Sequence, residues 1–117
     1  MSNNSRSKWQ KYVQEELINA EVSRQAGNEG RARVCARRAA GLIAEEYFNR
    51  HDILVDSTSS IARLQRLKEL SQIPDETKQV IEHFLLHTTP DHNLPIDVDL
   101  IAEARWLSMN LIGETLG

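Results

Sequence analysis

The sequence predicts an all-α fold, an antiparallel up-and-down helical bundle of about five helices, and three observations predict it. Apolar residues recur at three- and four-residue intervals through most of the chain. Glycine, asparagine and proline fall between those stretches, where they stop one helix and start the next. No segment alternates apolar and polar residues for more than three or four positions, so no sheet has the strands it would need. With 117 residues, 40% of them apolar and 26% charged, the chain suits one domain over 1–117 with its own core.

The leader 1–7, MSNNSRS, is polar and is expected to be flexible, with Ser7 capping a first helix that begins near Lys8. That helix carries Trp9, Val13, Leu17 and Ala20 at helical spacing and stops at Gly27, Asn28 and Gly30. The second helix runs from Glu29 or Gly30 to Asn49. Its residues Ala32, Ala36, Ala39, Ala40, Ile43 and Tyr47 fall within one arc of the helical wheel. The stretch NRHDILVDSTSS breaks the period, with Asp52 and Asp56 as turn formers and Ser57, Ser59 and Ser60 as caps. Ile53, Leu54 and Val55 have the composition of a strand but no segment to pair with, so they are expected to lie as a loop against the bundle.

Ile61, Leu64, Leu67 and Leu70 define a third helix closed before Pro74, and Asp75 opens a fourth with Val80, Ile81, Phe84 and Leu85 inside. HTTPDHNLP reads as a loop, after which Asp97 or Asp99 begins a last helix running nearly to the C-terminus. That helix has two apolar stripes. One holds Val98, Ile101, Ala102, Met109, Ile112 and Leu116, and the other Leu100, Ala104, Leu107 and Leu111. A helix apolar on two sides is usually central in its bundle, or is shared with a second subunit.

Composition excludes several classes of function. A net charge of −3 and a pI near 5.8 leave no general attraction to nucleic acid, so any such contact must be local. No window approaches the roughly 20 apolar residues of a membrane span, and the N-terminus lacks the apolar core of a secretory signal. A single cysteine, Cys35, forms no internal disulfide and fits a reducing compartment, so the cytoplasm is the expected location. Cys35 lies at the edge of the alanine face and reads as a small core residue. The glycines at 27, 30 and 41 fit neither a phosphate loop nor a dinucleotide fingerprint, and no cofactor is expected.

Three constellations could carry chemistry. The first is RARVCARRAAG, in which Arg33, Arg37 and Arg38 are expected opposite the alanine face, with Arg31 at its border. These arginines could bind phosphates, pair with Glu45 and other carboxylates, or meet an acidic partner. The second is a structural ion pair between Glu16 and Arg105, each a charge on an otherwise apolar stripe. The third is His83 with His87, four residues apart on one helix face and therefore weak candidates for a metal. The glutamate of an HExxH motif is absent and no third ligand is in sight.

The order of WQKYVQEELINAE, the turn QAGNEG, the alanine-rich ARVCARRAAGLIAEEYF and the final LPIDVDLIAEARWLSMNLI resembles the HEPN family of nucleotide-binding domains. The resemblance spans roughly Trp9 to Ile112. It implies an antiparallel bundle that often dimerises and acts either as a ribonuclease or as the companion of a minimal nucleotidyltransferase. The ribonuclease members carry an arginine four to six residues before a histidine. No arginine stands at that distance before His51, His83, His87 or His92, so no catalytic residue carries over. The expectation is a binding or accessory domain for a nucleotide, RNA or a protein partner, rather than an enzyme. A metal-assisted hydrolase using His83 and His87 is the alternative, and a purely structural dimer the third reading.

Overall fold

The turn at Gly27 and Asn28 folds the first two helices into an antiparallel hairpin, on which the rest of the chain is assembled. In the computed structural model, residues 4–86 and 98–114 are described, with side chains from residue 8 onward. Helix α1 (Asn4–Gln25) ends in a left-handed Gly27 (φ 81°). The N–H of Asn28 donates to Ser23 C=O at 2.8 Å and that of Gly27 to Arg24 C=O at 3.0 Å, the paired bonds of a Schellman stop. Asn28 then caps α2 (Glu29–Arg50) by accepting from the Arg31 N–H. The first turn of α1 takes in residues 4–7, expected as leader, because no glycine or proline before Lys8 interrupts the helix.

Helix α2 is the centre of the bundle and packs against α1, α3 (Ser60–Glu69), α5 (Leu100–Leu107) and the π-helical turn Ser108–Ile112 that continues α5. Ala32, Ala36, Ala39, Ala40 and Ala44 are all buried, and these short side chains let the neighbouring helices approach closely. The tightest approach is at Gly41. A Cβ there would stand 2.5 Å from Ser60 Oγ and 2.9 Å from Ser60 Cα, so only glycine permits the α2–α3 crossing.

Ser59 caps α3, and Pro74 precedes α4 (Asp75–Leu85), whose Ile81 and Phe84 are fully buried. The core is continuous, from Val13 and Leu17 through Ile43, Leu64, Leu67, Phe84 and Leu100 to Leu107. Arg24 fastens one end of the bundle, bridging Glu29 at 2.9 Å and the α5 cap Asp99 at 3.0 Å. Arg50 fastens the other, reaching Glu46 at 2.7 Å and Glu114 at 3.1 Å while its guanidinium carbon lies 5.9 Å from the Trp9 ring centre.

The last helix differs from its expected form in two ways. It leaves the α conformation after Leu107, and its two stripes are covered unevenly. Leu100, Ala104 and Leu107 are buried together with Ile101, whereas Ala102 and Met109 from the other stripe face solvent. The centre of the bundle is therefore α2 and not the last helix. No helix of the described residues is long and apolar enough to cross a membrane.

Candidate functional site

Two of the four arginines turn inward. At about 100° per residue, Arg33 shares a row with Ala40 and Ala44, and Arg37 shares one with Ala44 and Phe48. All of those partners are buried, because α2 is covered on most sides by α1, α3 and α5. Arg33 is 8% exposed and Arg37 is half-buried, which corrects the expectation that both face away from the core. Arg31 and Arg38 lie on the remaining outer strip with Val34 between them. Both are exposed, and neither makes an ion pair among the described residues. The expected single basic face is thus two pairs with different surroundings.

Arg37 donates from Nε to the main-chain carbonyl of Phe84 at 2.8 Å. Phe84 is in the last turn of α4, where carbonyls lack helical partners and the helix dipole favours a cation. Burial is the main influence that lowers the Arg37 pKa, and the positive charge of Arg33 lowers it further. The group still carries its charge at neutral pH. Its two terminal nitrogens have no partner among the described residues.

One residue before Phe84, His83 crosses from α4 to α5, with Nδ1 2.7 Å from Glu103 Oε1. The pair is half-buried. A carboxylate at Nδ1 fixes the imidazole plane and leaves Nε2 as the free ring nitrogen. Arg37, with the charge of Arg33 near it, thus meets α4 at a junction that the His83–Glu103 contact ties to α5. The terminal nitrogens of Arg37 are donors of the kind that suit an acidic or phosphate-bearing group.

The remaining expectations fare differently. Arg105 pairs with Glu21 at 3.2 Å, not with Glu16, and the pair is half-exposed on both sides. Five residues separate Glu16 from Glu21, about 140° of helix, so the two carboxylates look toward different neighbours and only Glu21 faces α5. Glu16 Oε1 is buried without a hydrogen-bond partner, as is Trp9 Nε1. Of the two metal candidates, His83 has Nδ1 engaged by Glu103, and His87, with Asp91 and His92, lies outside the described residues. Among the described residues no group of three or more His, Cys, Asp or Glu side chains could hold a metal ion. Cys35 is buried in the core as expected. Glu45 pairs with Arg63 at 3.1 Å and with none of the α2 arginines.

The sequence reading missed Glu103, because its role depends on α5 lying beside α4. It also missed a groove of about 230 Å³ between α1 and α2, where Trp9, Tyr12 and Leu42 meet Glu45, Glu46 and Asn49. Both carboxylates there already hold arginines. No protein-family model matches the chain, and neither a curated protein nor a solved structure resembles it significantly.

Proposed function

We propose that the chain is a non-catalytic, HEPN-like helical binding domain of the cytoplasm that works as a homodimer. In this reading Arg37 receives an anionic group of a nucleotide or RNA, or the acidic surface of a partner such as a nucleotidyltransferase, the nearby charge of Arg33 reinforces it, and Arg31 and Arg38 add long-range attraction. The observation that carries the reading is Arg37. It is a half-buried guanidinium beside a second arginine, anchored by one main-chain carbonyl and with no carboxylate of the described residues on its terminal nitrogens. A cation desolvated in this way gains more from an arriving phosphate than an exposed one does. The family resemblance rests on the order of the tryptophan-bearing first helix, the glycine and asparagine turn and the alanine-rich second helix in the sequence.

The test is titration of the protein with ATP and with a short single-stranded RNA at low salt, followed by fluorescence anisotropy or calorimetry. Arg37→Gln is expected to weaken binding at least tenfold with helicity unchanged, and Arg38→Ala to weaken it less than threefold. Equal losses for the two variants, or no binding by the parent protein, would remove the junction from consideration. Light scattering over a range of concentrations checks the dimer, and a monomer at the highest concentration would refute that part.

A further inference from the structure

Although α2 is the central helix, it meets solvent along one line. Arg31, Val34, Arg38, Leu42, Glu45 and Asn49 follow one another at steps of three or four residues, with Leu42 and Glu45 half-buried and the other four exposed. At about 1.5 Å of rise per residue the line is about 27 Å long. It is apolar in part. Val34 is 40% exposed, and Leu42 borders the groove of about 230 Å³ whose opposite wall holds Trp9 and the 49% exposed Tyr12 of α1.

The charges on this line differ in what surrounds them. Glu45 is held by Arg63 at 3.1 Å, whereas Arg31 and Arg38 make no ion pair among the described residues. Glu15 and Glu16, about a turn beyond Tyr12 on α1, pair with neither arginine. The unanswered charge is therefore positive, two guanidinium groups about 10 Å apart along the helix with Val34 between them. Three occupants can be compared on this pattern. A second copy laid on the same line would set arginine against arginine, which repels. A nucleic acid gains nothing from Val34 and Leu42, and it finds no ring to stack on beside Arg31 or Arg38, since no aromatic residue lies between Val13 and Glu46. A helix repeats every 3.6 residues as the line itself does, so its carboxylates can meet both arginines while its apolar residues cover Val34 and Leu42.

We propose that the outer line of α2 from Arg31 to Leu42, with Tyr12 beside it, docks an acidic amphipathic helix of a partner protein. Carboxylates two turns apart on that helix pair with Arg31 and Arg38, and its apolar residues cover Val34 and enter the groove between Leu42 and Tyr12. Arg37 is turned about 100° from Arg38 on the same helix, so this surface stands or falls separately from the Arg37–Phe84 junction.

The probe is a capped helical peptide of three repeats of Leu-Ala-Gln-Ala-Glu-Ala-Gln, compared with the same peptide carrying lysine in place of glutamate. Amide shifts of the full chain locate the binding, and fluorescence anisotropy of labelled peptide measures it. Saturable shifts at Arg31, Val34, Arg38 and Leu42 are expected with the acidic peptide, along with binding about tenfold weaker or worse for the basic one. The double variant Arg31→Glu/Arg38→Glu should reverse that preference. Val34→Ser, at an exposed position, should weaken the acidic peptide about threefold or more with helicity unchanged. Equal affinity for the two peptides, no binding of the acidic peptide, or shifts confined to other residues would each overturn the proposal. So would a short single-stranded RNA that binds this line more tightly than the peptide, or a dimer of the parent protein that the double variant dissociates.

Discussion

Arg37 Nε and the Phe84 carbonyl oxygen, 2.8 Å apart, join the middle of α2 to the last turn of α4. The bond satisfies a carbonyl that the helix itself leaves open, and it is assisted by charge in a half-buried setting. Arg37→Ala is therefore expected to lower unfolding stability by about 1.5–3 kcal/mol in urea titration. Arg38→Ala, on the exposed strip, should change it by less than about 0.5 kcal/mol. If the two variants unfold at the same urea concentration, the Phe84 contact does not hold α4.

Asp99 gives the molecule an acid limit. Burial pushes its carboxyl upward, but the Ala102 N–H, the Arg24 guanidinium and the Ile101 N–H outweigh burial and hold it below its ordinary 3.8. A group whose folded pKa is depressed stabilises the fold above its unfolded value, and that contribution is lost as pH falls through the folded value. Stability should therefore decline below about pH 4, with Asp99 contributing to the slope. Asp99→Ala is expected to cost about 1 kcal/mol at pH 7 through loss of the α5 cap, and less at pH 3. A cost that is the same at both values would show that its ionisation is immaterial.

Gly41 tests the α2–α3 crossing. Gly41→Ala places a methyl group against Ser60 at distances the packing does not allow, and a loss of about 1–3 kcal/mol is expected despite alanine's better helix propensity. Ser60→Gly in the same chain should return part of that loss, since it clears Oγ and Cβ but not Cα. Thermal melts of the two single variants and the double variant give the answer. A Gly41→Ala protein as stable as the parent contradicts the close approach.

Glu16 and Arg105 should behave independently. Glu16→Leu removes a buried oxygen that has no partner, and a gain of about 1 kcal/mol is expected. The Glu21–Arg105 pair, half-exposed, should show a coupling below about 1 kcal/mol in a double-mutant cycle. A larger coupling between Glu16 and Arg105 than between Glu21 and Arg105 would reverse the assignment.

Helix limits were legible wherever a cap was written in short-range chemistry. Asn28, Ser59 and Asp99 accept N–H groups from the turns that follow them, and Gly27 takes the left-handed conformation that ends α1. Local composition carried that information. The burial of Arg33 and Arg37 was not local in this sense. Treating the alanines as the whole inner face of α2 assumed a peripheral helix, whereas a helix with several neighbours buries a much wider arc. The repeat of Arg33 with Ala40 and Ala44, and of Arg37 with Ala44 and Phe48, was the available signal. Glu103 opposite His83 and Glu21 opposite Arg105 had no such signal, because each depends on which helices become neighbours.

The π-helical turn at Ser108–Ile112 bears on which genetic changes this chain tolerates. A π turn holds one residue more than the α turn it replaces, as an insertion into an α-helix would. Removing a single residue between Met109 and Leu111 would return the backbone to ordinary helical winding while leaving Leu100, Ala104 and Leu107 in place. The same deletion inside α2 would rotate every following side chain by about 100° and expose the core. Length variation among descendants of this chain should therefore collect at the π turn and stay out of α2.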